Sequence, residues 1–168
     1  FSNVFVMYPK AQVSAERIEE ILTTEPLIKN PKNGVTKTNN EGTLEFNDVT
    51  FIYPDGEEAV IKNVSFKAKK GETIAFIGST GSGKSTVVNL IPRFYDVTRG
   101  ELVIDGVNIK DVDLKELRKK VGFVPQKGVL FSGTIDSNIK YGNKTASEEV
   151  VETASRVAQA TEFIDSKP

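Results

Sequence analysis

The chain contains no cysteine and no histidine. The first absence rules out a disulfide framework and any thiolate metal site, and it fits a reducing, cytosolic setting. The second removes the Ser-His-Asp triad, the imidazole general base and the His-ligated zinc centre. Any chemistry must therefore come from carboxylates, lysine, glutamine or a bound metal. Long apolar runs are also missing: the opening FSNVFVMYP falls far short of the roughly 20 residues that cross a bilayer, and it lacks the basic flank of a signal peptide. Neither sign of charge dominates, with 22 Lys and Arg against 23 Asp and Glu among 168 residues. No basic block of the kind that neutralises phosphate backbones is present, so no nucleic-acid partner is expected. The length suits one domain able to bury roughly two thirds of its unfolded surface. A chain that opens on such a fragment without an initiator Met is expected to be cut from a longer polypeptide.

What is present falls into a clear order. SAERIEEIL (14–22) predicts a helix with Ser14 as cap and an apolar stripe of Ala15, Ile18, Ile21 and Leu22. Residues 25–42 are rich in Pro, Asn and Gly and read as a polar linker. From Leu44 to Ala68, Leu44 and Phe46, then Val49, Phe51 and Tyr53, then Val64, Phe66 and Ala68 recur at period two around a PDG turn, which predicts antiparallel strands with one wet face. TIAFIG (73–78) is an unbroken apolar run expected to be a strand buried on both faces. Val87, Val88, Leu90, Ile91 and Phe94 then form a helical apolar face. ELVIDG and VGFVPQ (121–126) read as further strands, and DLKELRKKV as a helix capped by Asp113 with Glu116 three residues on. TASEEVVETASRVAQATEFI predicts an amphipathic helix with Val150, Val151, Ala154, Val157 and Ala158 on one side.

Between TIAFIG and the helical face lies GSTGSGKST (78–86), a strand, G-x-x-x-x-G-K-[ST], helix arrangement. Each position has a physical reason. Gly78, Gly81 and Gly83, with Ser79, Thr80 and Ser82 between them, let the backbone curl so that amides converge on phosphate oxygens. The helix start adds its positive end. Lys84 supplies a charge for the β and γ phosphates, Ser85 a hydroxyl oxygen for Mg2+, and Thr86 is placed for the α phosphate. A chance glycine-rich turn would not also have an apolar run before it and a helical pattern after it.

STGSGKST, set between an N-terminal antiparallel strand region and a downstream FVPQ, resembles the nucleotide-binding domain of an ATP-binding cassette (ABC) transporter, and the resemblance spans essentially the whole chain. It implies an α/β fold: a P-loop NTPase core with an N-terminal antiparallel β subdomain and the start of a helical subdomain, truncated. The implied division is 1–24, a helix following the last transmembrane helix; 25–42, a linker; 43–146, the ATP-binding core; and 147–168, the start of the helical subdomain. By the same resemblance Tyr53 stacks on adenine, Val60 lines the base pocket, and Gln126 is the Q-loop glutamine that ligands Mg2+ beside Ser85. Lys84 and Gln126 are then the candidate catalytic residues. LFSGTIDSNIKYG and YPKAQVSAERIEEIL are similar to exporter-type proteins, multidrug or lipid exporters among them. Val97 stands where exporters commonly have Pro, and Ser137 where Glu is frequent.

The resemblance further implies ATP and Mg2+ as cofactors, a transmembrane domain of the same polypeptide and a second nucleotide-binding domain as partners, and the cytoplasmic face of the cell membrane as location. An intact domain of the family also carries an LSGGQ-type signature, an acidic strand end and a switch histidine, none of which occurs in residues 1–168. Asp96, Asp105 and Glu101 read as solvated carboxylates rather than substitutes. The stretch is therefore expected to bind ATP and not to hydrolyse it alone. A non-catalytic interaction module and a small P-loop kinase are the other readings; the kinase needs an arginine-bearing lid, yet arginine occurs only at 17, 93, 99, 118 and 156.

Overall fold

A computed structural model describes residues 2–39 and 41–167. The chain forms a mixed α/β structure of two compact units, one running to Phe123 and the other from Val124. In the first, helix α1 (Ser2–Thr23) precedes strands β1 (Leu44–Phe51) and β2 (Ile61–Ala68), helix α2 (Lys84–Leu90), strands β3 (Arg99–Ile104) and β4 (Val107–Asn108), and helix α3 (Leu114–Lys120). The second holds α4 (Ile135–Ile139), a short 3-10 turn at Lys140–Gly142, α5 (Glu148–Val157) and α6 (Thr161–Asp165).

The four strands form one antiparallel sheet in the order β2-β1-β3-β4. Phe46, Val49 and Phe51 of β1 all enter the core, although strict alternation would put Phe46 on one face and Val49 with Phe51 on the other. A bulge resolves the conflict. The register with β3 shifts between Asn47 and Thr50, and Asp48 takes a positive φ of 50°. Gly100 on β3 receives this bulge: a Cβ there would lie 2.3 Å from Asp48 O and 2.4 Å from Asn47 O, and its own φ is 77°. Phe46, Val49, Phe51 and Ile61 from the sheet meet Val87 and Leu90 of α2, Leu102 and Ile104 of β3, Ile109 and Val112 from the segment before α3, and Leu117 of α3 in a single cluster. Val97, the position where a proline was expected, is also buried there.

Two expected strands are not strands. TIAFIG (73–78) and VGFVPQ (121–126) have no ladder partner among the described residues, and Ile77 is 95% exposed. An apolar run becomes a parallel strand only when neighbouring strands take its amides and carbonyls, and no described segment does so. Other differences are smaller. Helix α1 begins well before Ser14, whose hydroxyl donates back to Lys10 O (2.9 Å) inside the helix instead of capping it. Ile18, Ile21 and Leu22 are exposed. No described helix is long and apolar enough to cross a membrane. The single helix expected over 145–164 breaks between α5 and α6, where Gln159 has a positive φ of 56°.

Residues 30–39 and 41–43 are fastened to the rest of the first unit at three places. Val35 N donates to Asp111 O (2.8 Å), and Val35 O accepts from Asp113 N (3.1 Å). Asp113 Oδ1 caps α3 through Lys115 N and Glu116 N as expected, but Val35 O takes the backbone amide that Glu116 would have bound in a full capping box. Asn30 completes that helix end, accepting from Leu114 N (2.8 Å) and donating to Asp113 Oδ2 (2.7 Å). The Asn30 amide and then the Glu116 amide hold the Asp113 carboxyl below its usual range.

The third fastening is Asp105, which is 4% exposed. Burial alone would push its carboxyl up, but Lys120 at 2.8 Å, the Thr38 hydroxyl and the amides of Thr43 and Gly42 bring it down from 3.8 to about 2. Lys120 Nζ also bonds the Thr38 hydroxyl. A carboxyl whose folded pKa lies below its unfolded one stabilises the fold above the unfolded value and stops doing so as pH falls through the folded one; here that loss runs from about pH 4 to pH 2 and amounts to about 2 kcal/mol. Asp105→Asn is expected to lower stability by about that much at pH 7 and to remove that acid limb, read by denaturant titration across pH. Gly100→Ala is expected to cost about 3 kcal/mol by forcing the bulge apart, measured in the same way.

Candidate nucleotide site

The loop 78–86 joins the exposed run 73–78 to α2 and passes close to the start of β2. Gly83 makes the approach possible. Its φ is 88°, and a Cβ would sit 3.1 Å from Val60 O and 3.4 Å from Val60 Cγ1. The residue is therefore glycine for both backbone conformation and space. Val60 is itself held by a hydrogen bond from its amide to Phe51 O (2.9 Å), so the loop leans on the sheet through one defined contact.

From Gly83 the backbone enters α2. The first helical hydrogen bond is donated by Val87 N to Gly83 O (3.0 Å), so the amides of Lys84, Ser85 and Thr86 precede it and remain available to an anion. Lys84 folds over the loop, its Nζ donating to Gly78 O (2.9 Å), Ser79 O (2.6 Å) and Ser82 Oγ (3.2 Å). Its ammonium is thus a fixed positive charge held by the loop's own carbonyls. Ser85 is exposed at the helix start, and Thr86 is buried.

Thr86 Oγ1 shares a hydrogen bond of 3.0 Å with the Tyr53 hydroxyl. The Tyr53 ring packs edge-on against Phe51 (4.8 Å between centroids) and Tyr95 (5.1 Å). Tyr53, Val60, Gly83, Lys84 and Thr86 are thereby linked in one unit: the sheet side joins the loop through Val60 and Gly83, and the helix through Tyr53 and Thr86. Gln126 lies exposed at a bend in the other unit. Tyr95 was missed in the sequence, where RFYD read only as the end of a helical face; its position just after that face was the available signal.

The carboxylates weighed as substitutes are all engaged, and one of them, Asp105, is buried instead of solvated. Asp96 clamps Arg93 through Nε (2.7 Å) and Nη2 (3.1 Å). Asp105 is buried against Lys120, and Glu101 accepts from Asn47 Nδ2 (3.2 Å). In the second unit, Ser137, where a glutamate was expected, is tied to the α4 cap: its amide donates to Thr134 Oγ1 and its hydroxyl to Thr134 O.

A glycine loop wrapped around a lysine ammonium, leading into a helix start beside an antiparallel sheet, defines a P-loop nucleotide-binding domain. Residues 61–168 match the ABC transporter family. The chain belongs to that family, whose members bind ATP with Mg2+, and its resemblance is to the ATP-binding domains of exporter-type members. It is 41% identical over 167 residues to the uncharacterized ABC transporter ATP-binding protein YfiC of Bacillus subtilis, covering 99% of this chain and 28% of that protein. It is 46% identical over 140 residues to a putative multidrug export ATP-binding/permease protein of Staphylococcus aureus, covering 82% of this chain and 24% of the relative. A solved bacterial Atm1-family ABC exporter with ATP bound superposes with a TM-score of 0.86 at 32% identity, covering 98% of this chain and 29% of that one. The chain thus spans between 24% and 28% of the length of these curated relatives.

Gly83→Ala is expected to push the loop off Val60 and to abolish any ATP-induced rise in thermal midpoint, while costing about 1–3 kcal/mol of stability from the forced positive φ. Differential scanning fluorimetry with and without Mg-ATP reads both effects.

Proposed function

We propose that this chain is the ATP-binding part of an ABC exporter, in which ATP binding and hydrolysis drive transport of a substrate across the membrane. In this reading the amides of residues 78–86 and the Lys84 ammonium hold the β and γ phosphates. Ser85 and Gln126 ligand Mg2+, Thr86 sits at the α phosphate, and Tyr53 with Val60 takes the adenine. The observation that carries it is the Gly83 contact: at a φ of 88° a Cβ would press to 3.1 Å on Val60 O, and this close approach brings the loop that holds Lys84 beside Val60. A divalent ion, when bound, would screen the phosphate charge; the residues here position the nucleotide and supply one cation.

The domain division follows the same reading: 1–24 as the helix after the last transmembrane segment, 25–42 as linker, 43–146 as ATP-binding core and 147–168 as the opening of the helical subdomain. The partners are a transmembrane domain of the same polypeptide and a second nucleotide-binding domain, at the cytoplasmic face of the membrane. The names of the relatives, ATP-binding/permease proteins for multidrug export, support this. Residues 1–168 taken alone bind ATP without turning it over. Asp96, Asp105 and Glu101 each hold a structural partner, and a γ-phosphate displacement needs a free carboxylate or equivalent to orient water.

Saturating Mg-ATP is expected to stabilise the fold, by about 2.7 kcal/mol at 100 times Kd, and Lys84→Ala to remove that gain. A midpoint that ignores ATP in the unmutated protein would count against the reading. A phosphate-release assay on the same sample is expected to show no turnover above the no-protein control.

A further inference from the structure

We propose that Tyr95 is a positioning residue for the nucleotide's base, acting through Tyr53. The inference rests on the nucleotide reading above and deepens it. Tyr53 leaves the end of β1 on a short irregular stretch, where a half-buried aromatic ring has several rotamers open to it. Three contacts remove that freedom. Its hydroxyl is held by Thr86 Oγ1 at 3.0 Å. Phe51 lies edge-on at 4.8 Å with planes 78° apart, and Tyr95 edge-on at 5.1 Å with planes 85° apart.

Phe51 is a core residue at 2% exposure and belongs to the sheet whatever the site does. Tyr95 does not. It comes from the segment after α2, packs on the core's margin, and its ring touches both Tyr53 and Phe51, the latter at 5.5 Å. An edge-to-face pair fixes the plane of the ring it meets, because the positive edge of one ring seeks the negative face of the other. Tyr95 thus sets the plane of Tyr53, and the Thr86 bond sets how far its tip reaches toward α2. The two together tie a base-stacking surface to the phosphate end of the same site, and base and phosphate recognition become one rigid geometry.

The test compares ATP with inorganic tripolyphosphate, which carries the phosphates and no base. Tyr95→Leu is expected to weaken Mg-ATP binding by about fivefold, the affinity equivalent of one aromatic pair, and to leave tripolyphosphate binding unchanged. Tyr95→Phe keeps the ring and is expected to bind both as the unmutated protein does. Equal losses for both ligands, or no loss for either, would overturn the assignment. Tyr95→Met, unbranched and without a ring edge, answers the same question should the leucine variant fail to fold. If the unmutated protein bound neither ligand, the nucleotide reading itself would fall, and this inference with it; if it bound both but Tyr95→Leu showed no difference between them, only this inference would fall.

Discussion

The contact between Gly83 and Val60 is the constraint on which the site depends. The loop 78–86 lies at the junction of an exposed run and a seven-residue helix, and neither could hold it in place alone. A short helix has little cooperative stability of its own. The loop keeps its position because α2 buries Val87 and Leu90 in the core while Gly83 leans on the backbone of Val60. Packing and loop shape are thus one problem, and any side chain at Gly83 opposes both.

Fixing the loop also organises charge. Lys84 is held by dipoles, the carbonyls of Gly78 and Ser79, and no carboxylate among the described residues pairs with it. Its charge is therefore uncommitted in the sense that matters to an anion, since carbonyl dipoles are weaker competitors than an ion pair. The acidic residues nearby in sequence are employed elsewhere. Asp96 secures Arg93, and Asp105 gathers Lys120, Thr38 and two amides. The first unit separates a cationic loop from anions spent on holding the backbone together.

Much of this was legible in the residues. The strand-loop-helix spacing placed Lys84, Ser85 and Thr86 at a helix start, and DLKELRKK placed Asp113 as its cap, because both are local: turn chemistry and a few neighbouring amides decide them. Readings that depended on distant partners fared differently. TIAFIG and VGFVPQ carry the composition of buried strands, yet a strand exists only with neighbours to hydrogen-bond, and composition does not supply those. Period two separates Leu44 and Phe46 from Val49 and Phe51, and a bulge, which changes the count without changing the residue types, brings both sets to one core. Val35 and Asn30 took over half of the α3 cap from more than 80 residues upstream in the case of Asn30, which no window around Asp113 can reveal.

The sequence by itself determined the family, the glycine-lysine loop leading into a helix and the type of chemistry open to the chain, since these follow from residue identity at short spacing and from the lack of histidine and cysteine. Tertiary structure alone decided that Gly83 approaches Val60 closely at a positive φ, that Tyr53 packs on Tyr95 and bonds Thr86, and that Asp105 is a buried anchor instead of a surface charge. Those outcomes turn on distances between segments far apart in the chain, and such distances are set by packing, which local pattern does not encode.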